Sequence, residues 1–125
     1  MNNLILIRGL PGSGKSTVAR MMNSAFEHFE ADMWFMVGDQ YVFDRTKLGQ
    51  AHAWCQDRCR EALKQNMPVV ISNTFTTKAE MQPYLDMAKE HGARVSVIEC
   101  HQQYGSTHAV PAEVIERMKS RWEKI

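Results

Sequence analysis

Residues 4–7, 68–72 and 94–99 are short runs rich in aliphatic and β-branched side chains, and residues 28–31 form a weaker fourth run. Runs of this length predict strands buried on both faces, as a parallel sheet requires. Between them the apolar period changes to that of a helix. Residues 15–26 predict a first helix. Residues 44–66 predict a long one, with Asp44 as N-cap and a stripe of Leu48, Ala51, Cys55, Cys59, Ala62 and Leu63. Thr77 and Glu80 form a capping box for a third helix, which Gly92 closes and in which Pro83 falls near the first turns. Pro111 opens the last helix, where its missing N–H costs nothing. Residues 33–43 alternate about Gly38-Asp39 and predict a β-hairpin, and residues 102–108 read as a loop. Strands alternating with helices predict an α/β fold, a short parallel sheet of about four strands flanked by helices in three layers. In such sheets ligands bind at the carboxyl ends of the strands.

Length and composition fit one soluble domain over residues 1–125, with 44 % hydrophobic and 23 % charged residues. No apolar run approaches the roughly 18 residues of a membrane span, so no membrane partner is expected. The start, Met1-Asn2-Asn3-Leu4, lacks the basic region of a signal peptide, and a cytoplasmic location is expected. A net charge of +1 without blocks of like charge argues against a long nucleic-acid footprint, though not against contact with a strand end. Three cysteines in a reducing compartment predict no disulfide. His52, Cys55 and Cys59 share a helix face, with Cys100 and His101 in a separate segment, but the spacing fits no standard zinc pattern. Core packing is the expected role of the thiols.

The chemistry begins where the first strand ends. Gly9-Leu10-Pro11-Gly12-Ser13-Gly14-Lys15-Ser16, followed by Thr17, fits the phosphate-binding pattern G-x-x-x-x-G-K-[ST] between a strand and a helix. Gly9, Gly12 and Gly14 are expected to permit the backbone angles that turn successive N–H groups toward a polyphosphate. Lys15 would reach the β and γ phosphates and the Ser16 hydroxyl would ligate Mg²⁺. ATP with Mg²⁺ is therefore the expected ligand pair.

Other strand ends deliver further polar groups to the same crevice. Asp32 follows the second strand and is the leading candidate for a general base, with Mg²⁺ association or a turn role as alternatives. The third strand runs Val69-Val70-Ile71 into Ser72-Asn73-Thr74, so the position at which a metal-organising acid is usual holds none. Asn73 offers a donor and an acceptor that suit a base edge or hydroxyl, or it caps a loop. Trp34, Phe35, Tyr41 and Phe43 form either a stacking platform for a flat acceptor or a small satellite core. Arg117 and Arg121 lie one turn apart on the last helix and either reach the nucleotide or face solvent. Trp54 is expected on the exposed side of the long helix.

These segments in order resemble the polynucleotide-kinase-like branch of the P-loop kinases, including the kinase domain of phage polynucleotide kinase and small bacterial and phage ATP-binding proteins. Residues 10–17 resemble that family's loop, Glu30-Ala31-Asp32-Met33 its second strand end, and Val70-Ile71-Ser72-Asn73-Thr74 its third. His108-Ala109-Val110-Pro111, followed by Ile115, Arg117, Met118 and Arg121, resembles its post-lid helix. The resemblance implies a P-loop NTPase fold and transfer of the ATP γ-phosphate to a hydroxyl, on a nucleic-acid 5′ end, a nucleoside or another small compound. It implies Asp32 as base, with Val110 and Arg117 beside the nucleotide and Asn73, Trp34 and Tyr41 on the acceptor side. The alternative is an ATP-binding module or slow ATPase read by a protein partner of unknown kind. Residues 102–107 contain no Arg or Lys, so the lid is expected to be reduced or lost; His108, if protonated, could supply part of the charge, or Arg8, Arg45 or Arg117 could reach in.

Overall fold

We describe residues 2–22, 25–103 and 110–125 of a computed structural model. Four parallel strands form the sheet: β1 (Asn3–Gly9), β2 (Glu27–Phe29), β5 (Val69–Asn73) and β6 (Arg94–Cys100), in the order β2-β5-β1-β6. β1 lies in the interior, Leu4 opposite Val69 on one side and Val95 on the other. Its alternation divides the core. Leu4 and Leu6 join Val69 and Ile71 beneath α2 (Leu48–Lys64) and α3 (Lys78–Glu90). Ile7 and Val70 join Ala19 of α1 (Lys15–Arg20) and Cys100 on the opposite face. This is the expected three-layer α/β fold.

Several boundaries differ from the sequence expectation, each for a local reason. α1 ends at Arg20 rather than running to residue 26: Met21 and Met22 turn back onto Val18 and Ala19 in a tightening last turn. β2 stops at Phe29 because the Ala31 N–H bonds the Asn73 side chain instead of a neighbouring strand. The chain then enters a 3₁₀ helix, Ala31–Phe35, so only β3 (Met36–Val37) and β4 (Gln40–Tyr41) form the hairpin. Asp44 caps a 3₁₀ turn, Arg45–Lys47, through Thr46, and α2 begins after it. Thr77 caps α3 as expected, while the Glu80 carboxylate turns to the backbone N–H and hydroxyl of Thr76. Pro111 immediately precedes α4 (Ala112–Ser120). Trp54 is half-buried, its ring edge-on to Phe29, rather than on an exposed face. The expected short lid and His108 fall largely on residues 104–109, outside the described residues.

Candidate active site

The crevice at the carboxyl ends of the strands is one cleft of ≈ 1520 Å³. Its floor is the loop after β1. Gly9 is still in the strand, and a side chain there would stand 2.2 Å from Ser13 Oγ and 2.7 Å from the Cys100 carbonyl oxygen. The need at Gly9 is therefore room, not unusual backbone angles. Those angles are confined to Gly12 and Gly14, at φ 80° and 96°. The turn is tied by Ser13 N–H to the Leu10 carbonyl, and Lys15 Nζ folds back on the same carbonyl at 3.0 Å. Burial lowers the Lys15 pKa, while the Glu30 and Asp32 carboxylates and the Cys100 thiol oppose that fall.

Glu30, which sequence reasoning left unassigned, sits directly beyond β2 and accepts a hydrogen bond from Ser16 Oγ at 2.5 Å. His28 Nε2 stands 3.2 Å from the same carboxylate. Burial works against ionisation of Glu30, but its neighbours His28 and Ser16, with Ser72 beside them, outweigh it and hold its pKa below the usual range. Its sequence signals were a spacing of two from Asp32 and its place in the segment Glu30-Ala31-Asp32-Met33. A hydroxyl paired with a carboxylate is a hard-oxygen donor set, which suits Mg²⁺.

Asp32 lies in the 3₁₀ helix and lines the cleft, where Tyr41 OH donates to its Oδ1 at 3.1 Å. Burial, followed by the nearby Asp32 charge and this hydrogen bond, raises the Tyr41 pKa, so the phenol remains a donor. Asn73 reaches the cleft wall, and its amide also has partners within the fold. Oδ1 accepts from Ala31 N–H at 2.9 Å and Nδ2 points at Cys55 Sγ at 3.8 Å. It braces the strand end that aims Asp32. Trp34 turns away into a separate hollow with Phe35, Val37 and Val42 and does not line the cleft. Tyr41 and Phe43 do line it, their rings stacked 6.2 Å apart with an interplanar angle of 18°.

Pro11, Thr17, Val110 and Arg117 line the cleft, while Gly9 and Ser13 are buried. Arg45, His52 and Gln56 form the wall toward α2, and Arg121 stands near Arg117. Arg121 Nε donates to Thr76 Oγ1 at 3.1 Å. His52 is exposed while Cys55 and Cys59 are fully buried, and no cluster among the described residues suits a metal held by His, Cys, Asp and Glu. Arg8 does not reach the phosphate side. It is fully buried, donates to the Phe75 and Glu123 carbonyls at 2.9 and 2.8 Å, pairs with Glu99, and lies 3.8 Å over the Trp122 ring.

The chain has relatives among known proteins, and its fold has counterparts among solved structures. The AAA_33 family model, described as an AAA domain, matches residues 4–125. The chain belongs to the AAA_33 family. Human NEDD4-binding protein 2 is 34 % identical over 134 aligned residues, covering 97 % of this chain but 8 % of that protein. The AAA_33 domain thus spans a small part of that relative's length. Among solved structures, Chaetomium thermophilum Kti12 in complex with ADP-AlF3 superposes with a TM-score of 0.73 at 16 % identity, over 97 % of this chain and 80 % of the other. A gluconokinase from Sinorhizobium meliloti 1021 gives 0.68 at 16 % identity, over 98 % and 75 %. At such identities these neighbours speak for the fold: the AAA_33 domain has a P-loop kinase-like architecture. No helix among the described residues is long and apolar enough to cross a membrane.

Proposed function

We propose that this domain binds ATP and transfers its γ-phosphoryl group to a hydroxyl acceptor, with Asp32 orienting and deprotonating that hydroxyl. The observation that carries the proposal is the meeting of two sites in one cleft. The Lys15–Ser16 loop forms its floor, and Asp32, fixed by Tyr41, stands on its wall. The backbone of residues 12–16 and the Lys15 ammonium would hold the phosphates. Mg²⁺ bound at the Ser16 hydroxyl would supply neutralisation of developing phosphate charge. Arg45, Arg117 and Arg121 line the same cleft and bring positive charge to it. The stacked Tyr41 and Phe43 rings suit a flat acceptor, which favours a nucleic-acid 5′ end or nucleoside over a sugar.

The test is transfer of label from γ-labelled ATP to pooled oligonucleotides, nucleosides, nucleotides and sugars. Transfer is expected to at least one class. Asp32→Asn should abolish it while ATP still binds. Intact ATP binding with no labelled acceptor in any pool would favour an ATP-binding module read by a partner.

A further inference from the structure

In P-loop proteins the acid that organises Mg²⁺ ordinarily closes the strand called Walker B. Here β5, beside the loop strand, ends in Ser72 and Asn73. An acid nonetheless stands at the loop. It comes from β2, one strand further out. β2 and β5 run in register through Phe29 opposite Ile71, so the next residues, Glu30 and Ser72, fall side by side on the loop's face of the sheet. Glu30 Oε1 accepts from Ser16 Oγ at 2.5 Å and is flanked by His28 Nε2 at 3.2 Å. Ser72 is 2 % exposed, and its hydroxyl has no hydrogen-bond partner among the described residues.

Building on the nucleotide-binding reading above, we propose that Glu30 carries the metal-organising role from β2, with Ser72 standing where the acid would ordinarily be. Glu30 holds the Ser16 hydroxyl in place and brings the negative charge a divalent cation requires. Ser72, too small to compete for the cation, leaves room for the Glu30 carboxylate beside it. Asp32 is thereby left to the acceptor side, where Tyr41 already directs it. The arrangement divides metal and acceptor duties between two acids two residues apart, where neither has to serve both.

The experiment measures affinity for a non-hydrolysable ATP analogue by calorimetry, with Mg²⁺ and without it, and follows Mn²⁺ binding to the nucleotide complex by electron paramagnetic resonance. Glu30→Gln preserves shape and an acceptor for Ser16. It should cut the Mg²⁺ enhancement of affinity by about tenfold or more, the range expected for a group that positions a metal ligand, and leave metal-free affinity nearly unchanged. The double variant Glu30→Gln, Ser72→Asp should restore the enhancement and the bound-Mn²⁺ signal. Full enhancement in Glu30→Gln would overturn the proposal. So would equal loss of metal-free and metal-assisted binding that Ser72→Asp does not rescue, since Glu30 would then be structural. A wild-type chain that binds no nucleotide under either condition would overturn the nucleotide reading itself, and the role of Glu30 with it.

Discussion

Replacing Arg8 by Met tests the packing that joins the end of the chain to the loop strand. The side chain is fully buried, and it links three segments distant in sequence: β6 through Glu99, the β5–α3 loop through Phe75 and Thr76, and the tail through Glu123 and Trp122. A hydrogen bond to a charged group contributes about 1.5–3 kcal/mol, and two short carbonyl bonds are lost together with the aromatic contact. Glu99 is about a third exposed and the tail carbonyl regains water, so those parts count for less. Relief of the cost of burying a guanidinium offsets more of the loss, leaving a net destabilisation of about 3 kcal/mol, the size of two hydrogen bonds to a charged group at the low end of their range. At a slope near 1.5 kcal/mol per molar, the urea midpoint should fall by about 2 M. Trypsin should then cut faster at Arg121 and Lys124 as the tail loosens. A midpoint within about 0.5 M of wild type, with the tail still protected, would show that Arg8 does not fasten these segments.

Gly9→Ala leaves no room for Ser13 and the Cys100 carbonyl, and should weaken binding of an ATP analogue by about tenfold or more in titration calorimetry. Unchanged affinity would mean the loop adapts. Lys15→Ala should likewise weaken nucleotide binding, and survival of that binding would remove Lys15 from the phosphate cradle. For Glu99, exposed enough for burial to resist ionisation only in part, bonding to Arg8 and His101 holds the folded pKa below its ordinary 4.5. Its contribution to stability is therefore present above 4.5 and lost as pH falls through the folded value; Glu99→Gln should flatten the acid limb of a denaturation curve. Burial raises the Cys59 pKa to about 12 and also raises that of Cys55. A thiol reagent at mildly alkaline pH should modify neither until the chain unfolds, and prompt labelling of both would contradict the core placement.

Most of the scaffold could be read from sequence because it rests on local patterns. The loop motif, the aliphatic strands, the stripe of α2 and the Thr77 cap each lie within a few consecutive residues. What escaped depends on pairs far apart. Glu30 acquires meaning only when α1 brings Ser16 to it, and the bonds of the Asn73 amide to Ala31 and Cys55 join segments well apart in the chain. Arg8 resembled a mobile cation near the phosphates; its partners lie 67 to 115 residues away. Trp34 and Tyr41 read alike in the alternating stretch, but the 3₁₀ helix that replaces its first half turns Trp34 away and leaves Tyr41 on Asp32.

The interior position of β1 also dictates an order of events. Among the strands of the sheet, translation makes this one before the others, yet both of its neighbours, β5 and β6, come later than residue 68. Long-range pairing of this sort closes late, because loop entropy is lost before contacts return it. A chain emerging from the ribosome therefore holds the entire phosphate-loop sequence long before it can hold the phosphate loop. Until residues 94–100 arrive, one edge of β1 stays unpaired and sticky, and a fragment stopped short of them should aggregate rather than bind nucleotide.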